Sequence, residues 1–186
     1  MIREYDDEYT NWIIGVVKEN KALLKRNDLD AFYDKVNDEW GNGHIRDFTR
    51  FFMQKGINPL TYLKKKIPEW CFDKIDLGEN NVIINEGIET IGFDAFYSCA
   101  SLEEITLPSS LREIGVSAFN NCKNLRKVTF KSIPKLKGSI FKNNPNLSDI
   151  YIPKPTSDEE TIWTNWFLNH CFDKSINITR ENIHYY

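Results

Sequence analysis

The feature that most constrains this chain is that its middle repeats itself. Moving residues 88–108 forward by 23 places Leu111, Ile114, Gly115, Ala118, Phe119, Cys122, Leu125, Val128 and Phe130 on Ile88, Ile91, Gly92, Ala95, Phe96, Cys99, Leu102, Ile105 and Leu107. Nine apolar or glycine positions hold one register without a gap, which chance does not explain. A third unit follows at a spacing of 22, with Leu136, Ile140, Phe141, Leu147, Ile150 and Ile152 on Ile114, Ala118, Phe119, Leu125, Val128 and Phe130. Pro153 then restores the proline of Pro108. An imperfect unit precedes these, carrying Ile67, Cys71, Phe72, Val82 and Ile84. Residues 163–179 read as a decayed last unit whose strand holds Ile176 and Ile178.

One unit explains why it must be repeated. Around Asp94, Ala95, Phe96 and Tyr97 the apolar spacing is helical. Leu102, Ile105 and Leu107 point inward, the last two alternating with Thr106 as a strand requires, and proline ends the strand. A unit of about 23 residues cannot bury its own apolar face, but stacked units can, and stacking aligns their strands into a parallel sheet. The expected fold class is therefore α+β, a short solenoid with a parallel sheet, preceded by a helical domain.

The pattern Ile-Gly-x-x-Ala-Phe-x-x-Cys-x-x-Leu-x-x-Ile-x-Leu-Pro at residues 91–108 resembles the BspA-like, or Treponema-type, leucine-rich repeat. The match is strong over 88–130, good to 153 and weak over 67–87. The resemblance implies a curved solenoid used for protein interaction, with no catalytic residues.

Residues 1–66 follow a different pattern and are read as a helical N-terminal capping domain, with 67–186 as the leucine-rich-repeat solenoid and its C-terminal cap. Trp12, Ile13, Val16, Val17, Leu23 and Leu24 form a helical stripe through 6–26. Asp28 or Asp30 is placed to cap a second helix carrying Phe32, Val36 and Trp40, ended by Gly41, Asn42 and Gly43. Ile45, Phe48, Phe51 and Phe52 make a third helix. Asn58 and Pro59 open a fourth through Leu60 and Leu63, with Lys64, Lys65 and Lys66 on its solvated face. Trp163, Trp166, Phe167 and Leu168 are expected to cap the far end.

The chemistry-bearing residues argue against an enzyme. There is no glycine-rich phosphate loop, HExxH or nucleophile elbow, and His44, His170 and His184 are dispersed. Cys71, Cys99, Cys122 and Cys171 form no CxxC pair, so buried free thiols are expected, with no metal and no cofactor. No secretory signal or membrane span is visible, which with the thiols fits a cytoplasmic protein of a bacterial cell or a phage-infected host.

Charge is unevenly placed although the net is only −3. Residues 75–113 hold eight acids and one base, whereas 114–148 hold seven bases and no acid: Lys123, Arg126, Lys127, Lys131, Lys135, Lys137 and Lys142. Lys123 and Lys142 are expected near helix ends. On one reading Glu103 and Glu104 simply face Arg126 and Lys127 across neighbouring strands, with Asp149 extending the series. On the other, the basic rung meets an acidic partner or a nucleic-acid backbone. The candidate contact residues are Arg126, Lys127, Thr129, Lys131, Thr106 and Tyr151, with Ile83, Thr106, Thr129 and Tyr151 in one outward row.

The leading functional expectation is a non-catalytic protein–protein interaction module. The alternative is a nucleic-acid or nucleoprotein binder using the basic rung, including a small phage-encoded inhibitor of a host nucleoprotein machine. A third is a surface protein exported without a recognisable signal.

Overall fold

A computed structural model describes residues 7–25, 29–154, 160–172 and 178–186, with backbone only at 160–163. Four helices open the chain: α1 (Asp7–Glu19), α2 (Lys21–Lys25), α3 (Leu29–Trp40) and α4 (Ile45–Gln54). They share one continuous apolar core with the solenoid. The stripe read as one helix over 6–26 breaks at Asn20, whose side-chain amide donates back to the Val16 carbonyl at 2.9 Å. Asp28 lies outside the described residues. Asp30 sits inside α3, and its carboxylate accepts from the backbone N–H groups of Lys64, Lys65 and Lys66. The expected fourth helix is a single 3-10 turn, Pro59–Thr61, with Asn58 accepting from the Leu60 N–H at 3.0 Å. The three lysines therefore lie on no helix; Lys64 and Lys65 lead into the first strand and Lys66 begins it.

The solenoid has two parallel sheets where the sequence reading anticipated one. The first contains β1 (Lys66–Ile67), β3 (Thr90–Ile91), β5 (Glu113–Ile114) and β7 (Lys135–Leu136). The second contains β2 (Asn81–Ile83), β4 (Glu104–Leu107), β6 (Lys127–Phe130), β8 (Asp149–Ile152) and β9 (Ile183–Tyr185). Partners in register are Ile91 with Ile114, and Ile105 with Val128. Those are the equivalences set by the repeat.

The segment with helical spacing is not helical. Asp94, Ser98, Ser117, Asn121, Ser139 and Asn143 all have φ between 50° and 62°. Two such left-handed residues per rung, four apart, interrupt any α-helix and leave two tight turns. Backbone bonds then run between rungs rather than along a helix: Phe72, Phe96, Phe119 and Phe141 donate to Ala95, Ala118, Ile140 and Cys171. Lys123 and Lys142 accordingly lie beside turns, not helix ends.

Inside, the repeat builds two ladders. Phe72, Phe96, Phe119, Phe141 and Phe172 stack with successive centroids 5.1, 5.0, 5.6 and 5.7 Å apart. The thiols of Cys99 and Cys122 each donate at 3.0 Å to the carbonyl of a phenylalanine one rung back, Phe72 and Phe96. Asn144 holds the same position one rung later and donates to Phe119 at 2.8 Å. The glycines of the motif are needed for packing: a Cβ on Gly92 would lie 2.5 Å from the Glu69 nitrogen, and one on Gly115 2.7 Å from the Gly92 carbonyl carbon.

The C-terminal rung departs from the expectation. Helix α5 (Glu160–His170) stands in the place of a strand and turn, and the His170 and Cys171 carbonyls at its end accept from Ser139 and Phe141. Phe167 is buried while Trp166 is half-exposed; the Trp163 side chain lies outside the described residues. The last strand is Ile183–Tyr185. Ile178 is in no strand and Ile176 lies outside the described residues.

Candidate functional site

In a parallel sheet with one face in the core, every second side chain of each strand faces out. On the five-stranded sheet this produces two rows. Asn81, Glu104, Lys127 and Asp149 are in register in one; Ile83, Thr106, Thr129, Tyr151 and His184 are in register in the other. Thr106, Thr129 and Tyr151, three of the candidate contact residues, therefore share one line. Ile83 begins it, 70% exposed. Among the described residues neither threonine hydroxyl has a hydrogen-bond partner.

The charged row is internally satisfied. Arg126 bridges Glu103 at 3.7 Å and makes a shorter contact with Glu104, and Lys127 reaches Glu104 at 3.8 Å. Lys127 also lies 5.0 Å over the Tyr151 ring, a cation–π contact. Lys131 bonds Glu86 at 3.2 Å, and Lys137 bonds Glu113 at 2.6 Å on the other sheet. The Ser109 hydroxyl, and then Lys131, hold the Glu86 carboxyl below its ordinary range. Of the seven bases, four thus meet carboxylates, and Lys123, Lys135 and Lys142 have none among the described ion pairs. The bases do not form one patch: Lys135 is in the four-stranded sheet with Lys137 just beyond its strand, and Lys123 and Lys142 are in the turns.

His184 is the member of this face that sequence reasoning missed. Its ring stacks on Tyr151 at 4.7 Å and its Nε2 lies 3.0 Å from an Asp149 oxygen. The Ser148 hydroxyl, followed by His184 and Lys127, lowers the Asp149 pKa. No periodicity could have found His184, because thirty residues separate Ile152 from Ile183.

Buried nucleophiles are sealed. All four cysteines are free and buried. Burial pushes the Cys71 and Cys122 thiols up to about 12. No metal-holding group of His, Cys, Asp or Glu occurs among the described residues.

The model of the BspA type leucine rich repeat region matches residues 65–185 in six copies. The chain belongs to the BspA-type leucine-rich-repeat family. No curated protein and no solved structure matches it. Leucine-rich repeats are in general a non-catalytic interaction fold, and among the described residues no helix is long and apolar enough to cross a membrane.

Proposed function

We propose that this BspA-type repeat protein is a non-catalytic protein-interaction module that takes its partner on the outer face of the five-stranded sheet. The observation that carries this is the uncharged row from Ile83 through Thr106 and Thr129 to Tyr151, an aliphatic and an aromatic joined by unpartnered hydroxyls. Such a surface can bury apolar area and still satisfy hydrogen bonds at its centre. The flanking charges are tied to one another, which supports a protein partner over a phosphate backbone, since a polyanion site needs cations to spare.

The test is affinity purification from the native host with mass spectrometry, using the wild-type chain and Thr106→Arg/Thr129→Arg. Two arginines in mid-row should remove the specific partner; the positions are half-buried and directly opposite in register, so the melt is read alongside and should fall by roughly 1 kcal/mol at most with the fold retained. Retention of the same partner by the double variant would refute the assignment. Capture that is nuclease-sensitive and collapses between about 50 and 200 mM salt would instead point to nucleic acid.

A further inference from the structure

Away from that face, α3 overhangs the four-stranded sheet and leaves a groove of about 430 Å³. Its wall carries Tyr33, Asp34 and Asn42; its floor runs from β1 across β3 and β5 to Lys137, with Phe93 and Val116 as apolar patches. The wall is tied to the floor by groups that themselves line the groove. The Asp34–Lys66 ion pair and the 2.9 Å bond from the Asn42 amide to Glu69 tie it to the first rung. Tyr33 and Thr49, 2.6 Å apart, sit against the buried Cys71. The groove is therefore preformed and does not depend on a closing motion.

Its charges are unequal. Asp34 is matched by Lys66 and Glu113 by Lys137. Glu69 is exposed, accepts only the neutral Asn42 amide, and has no cation among the described ion pairs. One uncompensated carboxylate thus lies beside an apolar floor. Three inter-strand steps of about 4.8 Å give a floor near 14 Å long, the length of about four extended residues. The groove crosses the strands, so an occupant is read by side chains and not by strand pairing.

We propose that this groove is a second binding site, taking an extended peptide segment of about four residues in which a basic side chain meets Glu69 and an aliphatic neighbour covers Phe93 and Val116. It is separate from the proposed face on the other sheet and does not rest on it.

The probe is acetyl-Ala-Arg-Val-Ala-amide, with acetyl-Ala-Gln-Val-Ala-amide as its neutral counterpart, titrated into the full chain and followed by amide chemical shifts. The arginine peptide should shift Gly92, Gly115 and Val116 saturably and bind about 1.5- to fivefold better than the glutamine peptide, the range of one exposed ion pair. Glu69→Gln, which keeps the acceptor for Asn42, should erase that preference. Val116→Trp, filling the groove at a half-exposed position, should abolish binding of both peptides with the fold intact. The proposal is overturned by shifts that map to Thr106, Thr129 and Tyr151, by an arginine preference surviving Glu69→Gln, or by no saturable shift at millimolar peptide.

Discussion

Asn144 provides the sharpest test of how the interior is built. It is fully buried, and its amide donates to the Phe119 carbonyl at 2.8 Å, the same bond that Cys99 and Cys122 make through sulfur at 3.0 Å. Cysteine needs no acceptor in return. Asparagine does, and its Oδ1 has no hydrogen-bond partner among the described residues. Replacing Asn144 by Cys keeps the donor, deletes the orphan oxygen and changes side-chain volume by little. An unsatisfied buried acceptor costs about 1–3 kcal/mol. Exchanging an amide donor for the weaker thiol gives back about 0.5–1 kcal/mol of that. The net expectation is a gain of about 0.5–2 kcal/mol, or roughly 1–8 °C in Tm for a chain of this size. Asn144→Ala is the necessary comparison, because it also removes the donor and leaves a void. It deletes the same orphan oxygen but leaves the Phe119 carbonyl unmet and a void, so it should melt about 1–3 kcal/mol below the Cys variant.

The assay is thermal and urea unfolding of the three proteins under reducing conditions, so that no new thiol pairs with Cys122. The Cys variant should be more stable than both the Asn and the Ala proteins. If the Cys variant melts as low as the Ala variant, Oδ1 is satisfied in solution and the orphan-acceptor reasoning is wrong.

Three other outcomes follow from the same framework. Phe96→Ala and Phe119→Ala each remove a ring from the stacked ladder and should each cost about 3–5 kcal/mol; two near-wild-type melts would mean the rings are not core-equivalent. Raising the pH above the ordinary thiol value of 9.0 should destabilise the fold, because the unfolded chain then loses protons that the buried thiols keep, so their contribution is complete below 9 and lost towards about 12. Each such thiol adds about 1.4 kcal/mol per pH unit, and Cys71→Ala should flatten the slope of urea midpoint against pH by about one proton. Ser139→Gly should raise stability by about 0.5–1 kcal/mol in a urea titration, since a left-handed residue costs about 1–2 kcal/mol and glycine returns only part of that in chain entropy; a lower midpoint would count against it.

What was legible in the chain follows from burial at a fixed period. Phe96, Phe119 and Phe141, and the inward pairs Ile105 with Leu107 and Val128 with Phe130, repeat because every rung must cover its neighbour. The four-stranded sheet was not legible. Each of its strands contributes two residues and one inward apolar side chain, Ile67, Ile91, Ile114 or Leu136, which is too short for an alternation to register. The turns were misread for a related reason: Ala95, Phe96 and Cys99 have helical spacing, and only the left-handed backbone at Asp94 and Ser98 excludes the helix. The outward line of Thr106, Thr129 and Tyr151 was readable from strand parity. Its continuation to His184 and the groove under α3 were not, because both depend on segments outside the repeat packing back onto it.

The departures of this chain from its own repeat bear on function more than the repeat does. Residues that obey the register face inward or bond to the next rung, and so are occupied by folding. Lys131 stands where Pro108 and Pro153 end their strands, and its side chain crosses two rungs to Glu86, which is also held by Ser109. Helix α5 replaces a strand and turn, yet the carbonyls at its end continue the hydrogen-bond ladder for Ser139 and Phe141. In both cases the departure serves the scaffold, and stability alone accounts for it. The outward row and Glu69 are different. Thr106, Thr129 and Glu69 lie on rigid, register-locked rungs, and the two hydroxyls have no hydrogen-bond partner and the carboxylate no cation among the described residues. Hydroxyls that the scaffold does not use, and a carboxylate that it meets only with a neutral amide, are where a partner can gain binding energy without first disrupting the fold. On that criterion the two surfaces singled out above are the ones to perturb first.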